Sequence, residues 1–167
     1  MKFIVLIWLI TFSSLASCQE KIHWLTFKEA TDKNLIAPKK IFIDVYTEWC
    51  GWCKRMDATS FEDEAVIKYI NQKFYPVKLD AETRDTISYK NKSYTYVSEY
   101  KSNEIAAFLL NGKMGYPTSV YLDEKMDLIG PVQGYLDKDQ LLKVMKYFGD
   151  NLYQTVKWDD YVKENYK

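Results

Sequence analysis

The run Ile41-Phe42-Ile43-Asp44-Val45 constrains the fold more than any other stretch of the chain. Its nearly continuous apolar, β-rich character is that of a strand covered on both faces, which calls for a sheet with helices on either side. Directly after it comes Tyr46-Thr47-Glu48-Trp49-Cys50-Gly51-Trp52-Cys53-Lys54-Arg55-Met56, so two cysteines three positions apart stand where the strand gives way to a helix. Such a pair is a structural disulfide, half of a metal site, or a working dithiol.

The other segments alternate between the two periodicities. Lys21–Leu25 reads as a short strand or lead-in, and Thr26–Ile36 as a helix ended by Pro38. A helix is expected from Cys50 to about Ala58. A second should follow Ser60, whose spacing to Asp63 fits a capping box, with Val66, Ile67 and Ile70 on its apolar face. Phe74–Leu79 predicts a strand. The pattern weakens over residues 81–112: Lys90-Asn91-Lys92 with Tyr94 and Tyr96 points to a small hairpin, Asn103–Leu110 to a helix, and Asn111-Gly112 to its stop. Thr118–Leu122 and Leu128–Gly134 are expected to pair antiparallel. Asp137 caps a helix carrying Leu141, Leu142, Met145 and Phe148, and the tail Asn151–Lys167 predicts one more helix. No repeat or linker divides residues 22–167, which are expected to form one domain.

The chain balances 23 Lys and Arg against 23 Asp and Glu, so no charge surplus points to nucleic acid or to an acidic tail. The 14 tyrosines are dispersed, as packing groups are, and do not form a stacking platform for bases. At the N-terminus, Lys2 precedes the apolar run Phe3–Ile10 and a small-residue stretch, the pattern of an export signal over residues 1–17. That run is far short of the roughly 20 residues a membrane-spanning helix needs. Leu15-Ala16-Ser17-Cys18 resembles the lipobox of bacterial lipoproteins. The resemblance implies cleavage before Cys18, acylation of its sulfur, a leader over residues 18–21, and an exported, membrane-anchored protein of the bacterial envelope facing the periplasm. The alternative is ordinary cleavage nearby, which leaves Cys18 as an odd thiol.

The cysteine pair carries the chemistry. A cysteine at a helix N-terminus faces free N–H groups and the positive end of the helix dipole, which lower its pKa from about 8.5 by one or more units. Cys50 is therefore the expected nucleophile, at an exposed helix start, and Cys53, one turn on and deeper, the expected resolving thiol. The ring the pair closes is too small to remove much unfolded-state entropy, so it makes a poor staple. A closed zinc site needs four ligands. Beside this pair the chain offers Cys18 and one distant histidine, His23, so no metal is expected. Asp44, desolvated on its apolar strand, is either the base for Cys53, with Lys78 nearby to tune it, or a strand-end polar residue; Lys78 is either that tuning cation or a solvated strand residue. Trp49 and Trp52 are either half-exposed packing groups or substrate contacts, and Lys54 and Arg55 read as a solvated helix face.

From about residue 22 to 149 the chain resembles the thioredoxin family. "FIDVYTEWCGWC" resembles that family's strand and active site, with Asp44 six residues before the first cysteine and Trp49 just before it. "VKLDAE" resembles the following strand with its lysine, Lys78; "GYPT" the loop bearing the cis-proline, Pro117; and Gly134 the glycine after the last strand. Three departures stand out: Gly-Trp between the cysteines in place of Gly-Pro, Tyr116 where smaller aliphatic residues are usual, and a segment between Asp80 and Pro117 about twice the usual length. The resemblance implies an α/β thioredoxin-like fold, a central mixed β-sheet flanked by helices, with an insertion before the cis-proline and an extra C-terminal helix. It also implies a thiol–disulfide oxidoreductase working through Cys50 and Cys53, with no cofactor beyond that redox-active disulfide. Its partners would be exported proteins or other dithiols and an envelope electron donor, and it would act as a reductase or isomerase more than as a strong oxidase, as a monomer. Trp49, Gly51, Trp52, Tyr116 and Pro117 would contact substrate, the backbone at Tyr116 pairing with an extended chain. The alternative is a non-enzymatic binding protein for a soft metal or a partner.

Overall fold

The computed structural model describes residues 20–165. The signal-like segment, Cys18 and the last two residues lie outside the described residues. In chain order the elements are α1 (Phe27–Ile36), β1 (Lys40–Tyr46), α2 (Gly51–Ala58), α3 (Glu64–Lys73), β2 (Phe74–Asp80), β3 (Ile87–Tyr89), β4 (Lys92–Tyr94), β5 (Tyr96–Val97), β6 (Ser102–Asn103), α4 (Glu104–Leu109), β7 (Thr118–Leu122), β8 (Leu128–Gln133), α5 (Lys138–Gly149) and α6 (Trp158–Asn165). The central sheet runs β2-β1-β7-β8, with β1 parallel to β2 and antiparallel to β7, and β8 antiparallel to β7. This is the mixed sheet flanked by helices that the sequence implied.

The unbroken apolar character of β1 follows from its central place. Ile41, Ile43 and Val45 meet Phe27 of α1 and Ile105 and Leu109 of α4 on one face. Phe42 meets Met56 of α2, Ile67 and Ile70 of α3, and Leu141 of α5 on the other. Because side chains alternate along a strand, Asp44 shares the second face with Phe42 and lies on the side of α2. Cross-strand register sets Lys78 of β2 on one side of Asp44 and Ser119 of β7 on the other.

Two expectations are corrected. α3 begins after Asp63, whose carboxylate accepts from the N–H groups of Ala65 and Val66, so Asp63 is the cap. Ser60 is buried in a short 3-10 turn and its hydroxyl is spent on the Leu136 carbonyl at 2.6 Å, which leaves no capping box for it to start. The tail is two pieces: Asn151 adopts φ +63°, which stops the α5 helix, and a 3-10 turn at Leu152–Gln154 precedes α6. Lys21–Leu25 contributes a single bridge, Leu25 to Val77, beside β2.

The insertion is two small hairpins and α4. The β3–β4 hairpin turns through Lys90 and Asn91, both at positive φ, as a tight two-residue turn requires. Buried Asn103 pins the insertion. Its side chain accepts the Ile105 N–H to cap α4 and donates to the carbonyls of Thr83 and Asp85.

Candidate active site

The turn from β1 into α2 is closed by the Cys50 N–H donating to the Thr47 carbonyl at 3.1 Å. It sets Cys50 at the N-cap of α2, where its sulfur accepts the Cys53 N–H at 3.0 Å. The two cysteines form a disulfide with Cα atoms 5.3 Å apart. The expectation of an exposed Cys50 is corrected: it is 5% exposed and Cys53 2%. The cause is the capping role, which turns the sulfur inward toward the first helical N–H groups. Exposed surface at the motif belongs instead to Trp49 and Trp52, at 67% and 56%.

Asp44 is 1% exposed. Its Oδ2 accepts from Lys78 Nζ at 2.6 Å, and its Oδ1 has no hydrogen-bond partner among the described residues. Burial pushes the carboxyl up; the charge and hydrogen bond of Lys78 pull it down, and the charge of Asp57 pushes it up again, to about 6. Lys78 also donates to Asp57, and the rings of Trp24, Tyr46 and Phe61 surround its ammonium at 5.0 to 5.2 Å. Burial disfavours that ammonium, but the two carboxylates outweigh it and hold its pKa above the ordinary lysine value. A pocket of about 300 Å³ is lined by Thr47, Cys53, Lys54, Asp57 and Lys78, so Lys78 reaches solvent beside the second cysteine while Asp44 stays buried behind it.

The Tyr116–Pro117 bond is cis. The Pro117 carbonyl accepts the Gly134 N–H at 2.8 Å, which joins this loop to the end of β8. Tyr116 meets Trp49 edge to face, 5.9 Å between ring centroids, so the loop borders the cysteine motif. Trp49 Nε1 donates to Glu82 at 3.0 Å, which ties the motif to the start of the insertion. On the other flank Trp52 lies 5.4 Å from Tyr135, and the Arg55 guanidinium packs over both rings. Gly51 opens α2 with nothing within 4 Å of where a Cβ would stand, so no packing demands a glycine there. Arg55 is thus more than a solvated helix residue, and His23 is exposed, remote in sequence, as expected.

Sequence reading missed Asp57, Glu82 and Tyr135. Asp57 carried one usable signal, its place one helical turn after Cys53. Glu82 and Tyr135 reach the site through the fold alone. Among the described residues no group of three or more His, Cys, Asp or Glu side chains is arranged to hold a metal ion.

The family model Thioredox_DsbH, described as a protein of unknown function, DUF255, matches residues 13–148. The chain belongs to this family. Curated relatives include the uncharacterized protein B0495.5 of Caenorhabditis elegans, 32% identical over 96 residues, 58% of this chain and 11% of that protein. Another is the human spermatogenesis-associated protein 20, 35% identical over 67 residues, 40% of this chain and 8% of that protein. The chain thus spans about a tenth of the length of the curated relatives it matches. Among solved structures, the DsbH oxidoreductase aligns with a TM-score of 0.58 at 13% identity, covering 83% of this chain and 92% of that one. A thioredoxin-fold protein from Helicobacter pylori gives 0.57 at 24% identity over 76% and 80%. A thioredoxin from Thermus thermophilus gives 0.57 at 18% identity over 75% and 85%. These likenesses show the thioredoxin-like fold.

Proposed function

We propose that the protein is a thiol–disulfide oxidoreductase in which Cys50 attacks a substrate disulfide and Cys53 resolves the mixed disulfide. The observation that carries this reading is the Cys50–Cys53 disulfide at the N-terminus of α2, set between the Tyr116–Pro117 loop and a pocket lined by Cys53 and Lys78, the partner of buried Asp44. When the pair is reduced, the helix N-terminus and the Cys53 N–H favour a thiolate on Cys50. Asp44, ionised at neutral pH yet still basic, is matched to accept the Cys53 proton. Trp49, Trp52 and Tyr116 supply aromatic surface to a substrate, and the backbone at Tyr116 and Pro117 offers it strand-like hydrogen bonds. Reduction or isomerisation suits this arrangement better than strong oxidation, because a base for Cys53 speeds release of the mixed disulfide.

The export signal and lipobox at residues 1–18 support an envelope lipoprotein anchored through Cys18, with exported proteins or other dithiols as substrates. Glu20 and Lys39 both bond Asn71, and Lys39 precedes β1 whereas Cys50 follows it. A tether through Cys18 would therefore hold the molecule by the end away from the dithiol.

A Cys53→Ser variant should accumulate mixed disulfides with partner proteins, visible on non-reducing gels and released by reductant, whereas Cys50→Ser should accumulate none. Trapping by Cys50→Ser in place of Cys53→Ser would reverse the roles, and trapping by neither would remove the reading.

A further inference from the structure

Lys78 is shared between two unlike carboxylates. Asp44 accepts from it at 2.6 Å with a side chain 1% exposed, and Asp57 also accepts from it with a side chain 45% exposed. Asp57 and Cys53 lie one turn apart on α2, and both line the pocket of about 300 Å³ that Lys78 reaches from β2. We propose that Asp57 is a positioning residue for the resolving step: it draws the Lys78 ammonium toward the pocket, so that Asp44 is only partly neutralised and stays able to take the Cys53 proton. This rests on the reading of Cys50 and Cys53 as a working dithiol and deepens it.

The charges that bear on Asp44 are few. Lys78 comes from β2 and Asp57 from α2; Tyr46 follows on β1, and Glu48 and Lys54 line the pocket. β7 presents Ser119 and Tyr121, uncharged at neutral pH, while α3 and α5 present apolar side chains to this face. With Asp57 neutral, Lys78 would belong to Asp44 alone. An undivided ammonium beside a carboxylate favours its charged form and weakens it as a base. The charge of Asp57 adds directly to the opposite effect.

In the mixed disulfide, Cys50 Sγ is bonded to a substrate sulfur. Cys53 gives its proton to the Asp44 carboxylate, and its thiolate attacks Cys50 Sγ. The Cys50–Cys53 bond forms as the bond to substrate breaks, and the substrate sulfur leaves with the electron pair and takes a proton from water. Over the full cycle the protein dithiol loses two electrons and two protons, and the substrate disulfide gains both. The proton on Asp44 then passes to solvent.

The test compares wild type, Asp57→Asn and Asp57→Glu. Carboxyl ¹³C shifts followed against pH report the Asp44 midpoint, which should fall by about one pH unit in Asp57→Asn and return close to wild type in Asp57→Glu. Stopped-flow release of thionitrobenzoate from its mixed disulfide with Cys50 should slow about threefold at pH 7 in Asp57→Asn, with the acid limb of the profile moved to lower pH. Alkylation of Cys50 in the reduced protein should not change. An unmoved Asp44 midpoint, an unmoved limb, or a parallel slowing of Cys50 alkylation would overturn the proposal. Should Asp57→Asn fail to fold, Asp57→Ala carries the same expectations. A wild type that forms no mixed disulfide would remove the redox reading itself, and the proposal with it.

Discussion

Asp44 is a carboxyl group on an apolar strand, and its surroundings decide both its chemistry and its effect on stability. Its pKa rises from the ordinary 3.8 to about 6, first through burial. The folded protein therefore holds this proton more tightly than the unfolded chain, so the group's contribution falls as pH rises from about 4 to about 6 and stays low above that. The raised value corresponds to roughly 3 kcal/mol of lost stability at neutral pH. Asp44→Asn should remove this slope: the variant should be at least as stable as wild type at pH 7, with the advantage shrinking toward pH 4. Urea unfolding of both proteins at the two pH values checks it, and a pH-independent difference would contradict it. The sequence foretold the burial of Asp44, since an acid inside Ile41–Val45 has no wet face to turn to. It did not foretell Asp57 as a second partner for Lys78, because that contact joins α2 to β2 across the face of the sheet.

The elements split into those that carry their own signal and those that borrow it. β1, α3 and α5 bury wide apolar faces, so the unbroken apolar run of β1 and the helical periodicity of α3 and α5 announced them. The insertion is mixed: Lys90-Asn91-Lys92 marked the β3–β4 hairpin and Asn103–Leu110 marked α4, but the β5–β6 pair left no signal. Its strands are two or three residues long, too short to show a period, and its order depends on single polar residues such as Asn103. Likewise, Ser60 and Asp63 both suit a cap, and only the buried bond of Ser60 to Leu136 decides between them. Asn103→Ala should leave the carbonyls of Thr83 and Asp85 and the Ile105 N–H without their partner, a loss of about 2 kcal/mol. Hydrogen exchange should then rise over residues 83–110 and stay unchanged in β1. Even exchange across both regions would show that the insertion opens only with the whole fold.

Across the whole molecule, β1 runs about 20 Å from the end near Asn71 and Glu20 to the end at Cys50. Acyl chains on Cys18 would therefore hold the protein at a membrane with its dithiol directed away from it. Cys18→Ala should release the protein to the soluble fraction or leave the precursor uncleaved, and an unmodified intact mass for the wild type would contradict the anchor. The dithiol reading does not depend on that outcome. Its most direct test is the equilibrium of Cys50 and Cys53 with a poised thiol buffer, followed by mass after rapid alkylation. A working pair should titrate reversibly as one two-electron couple between about −270 and −180 mV, on the reducing side of strong oxidants near −120 mV. A pair that stays oxidised to potentials below about −300 mV, as structural disulfides do, would contradict it.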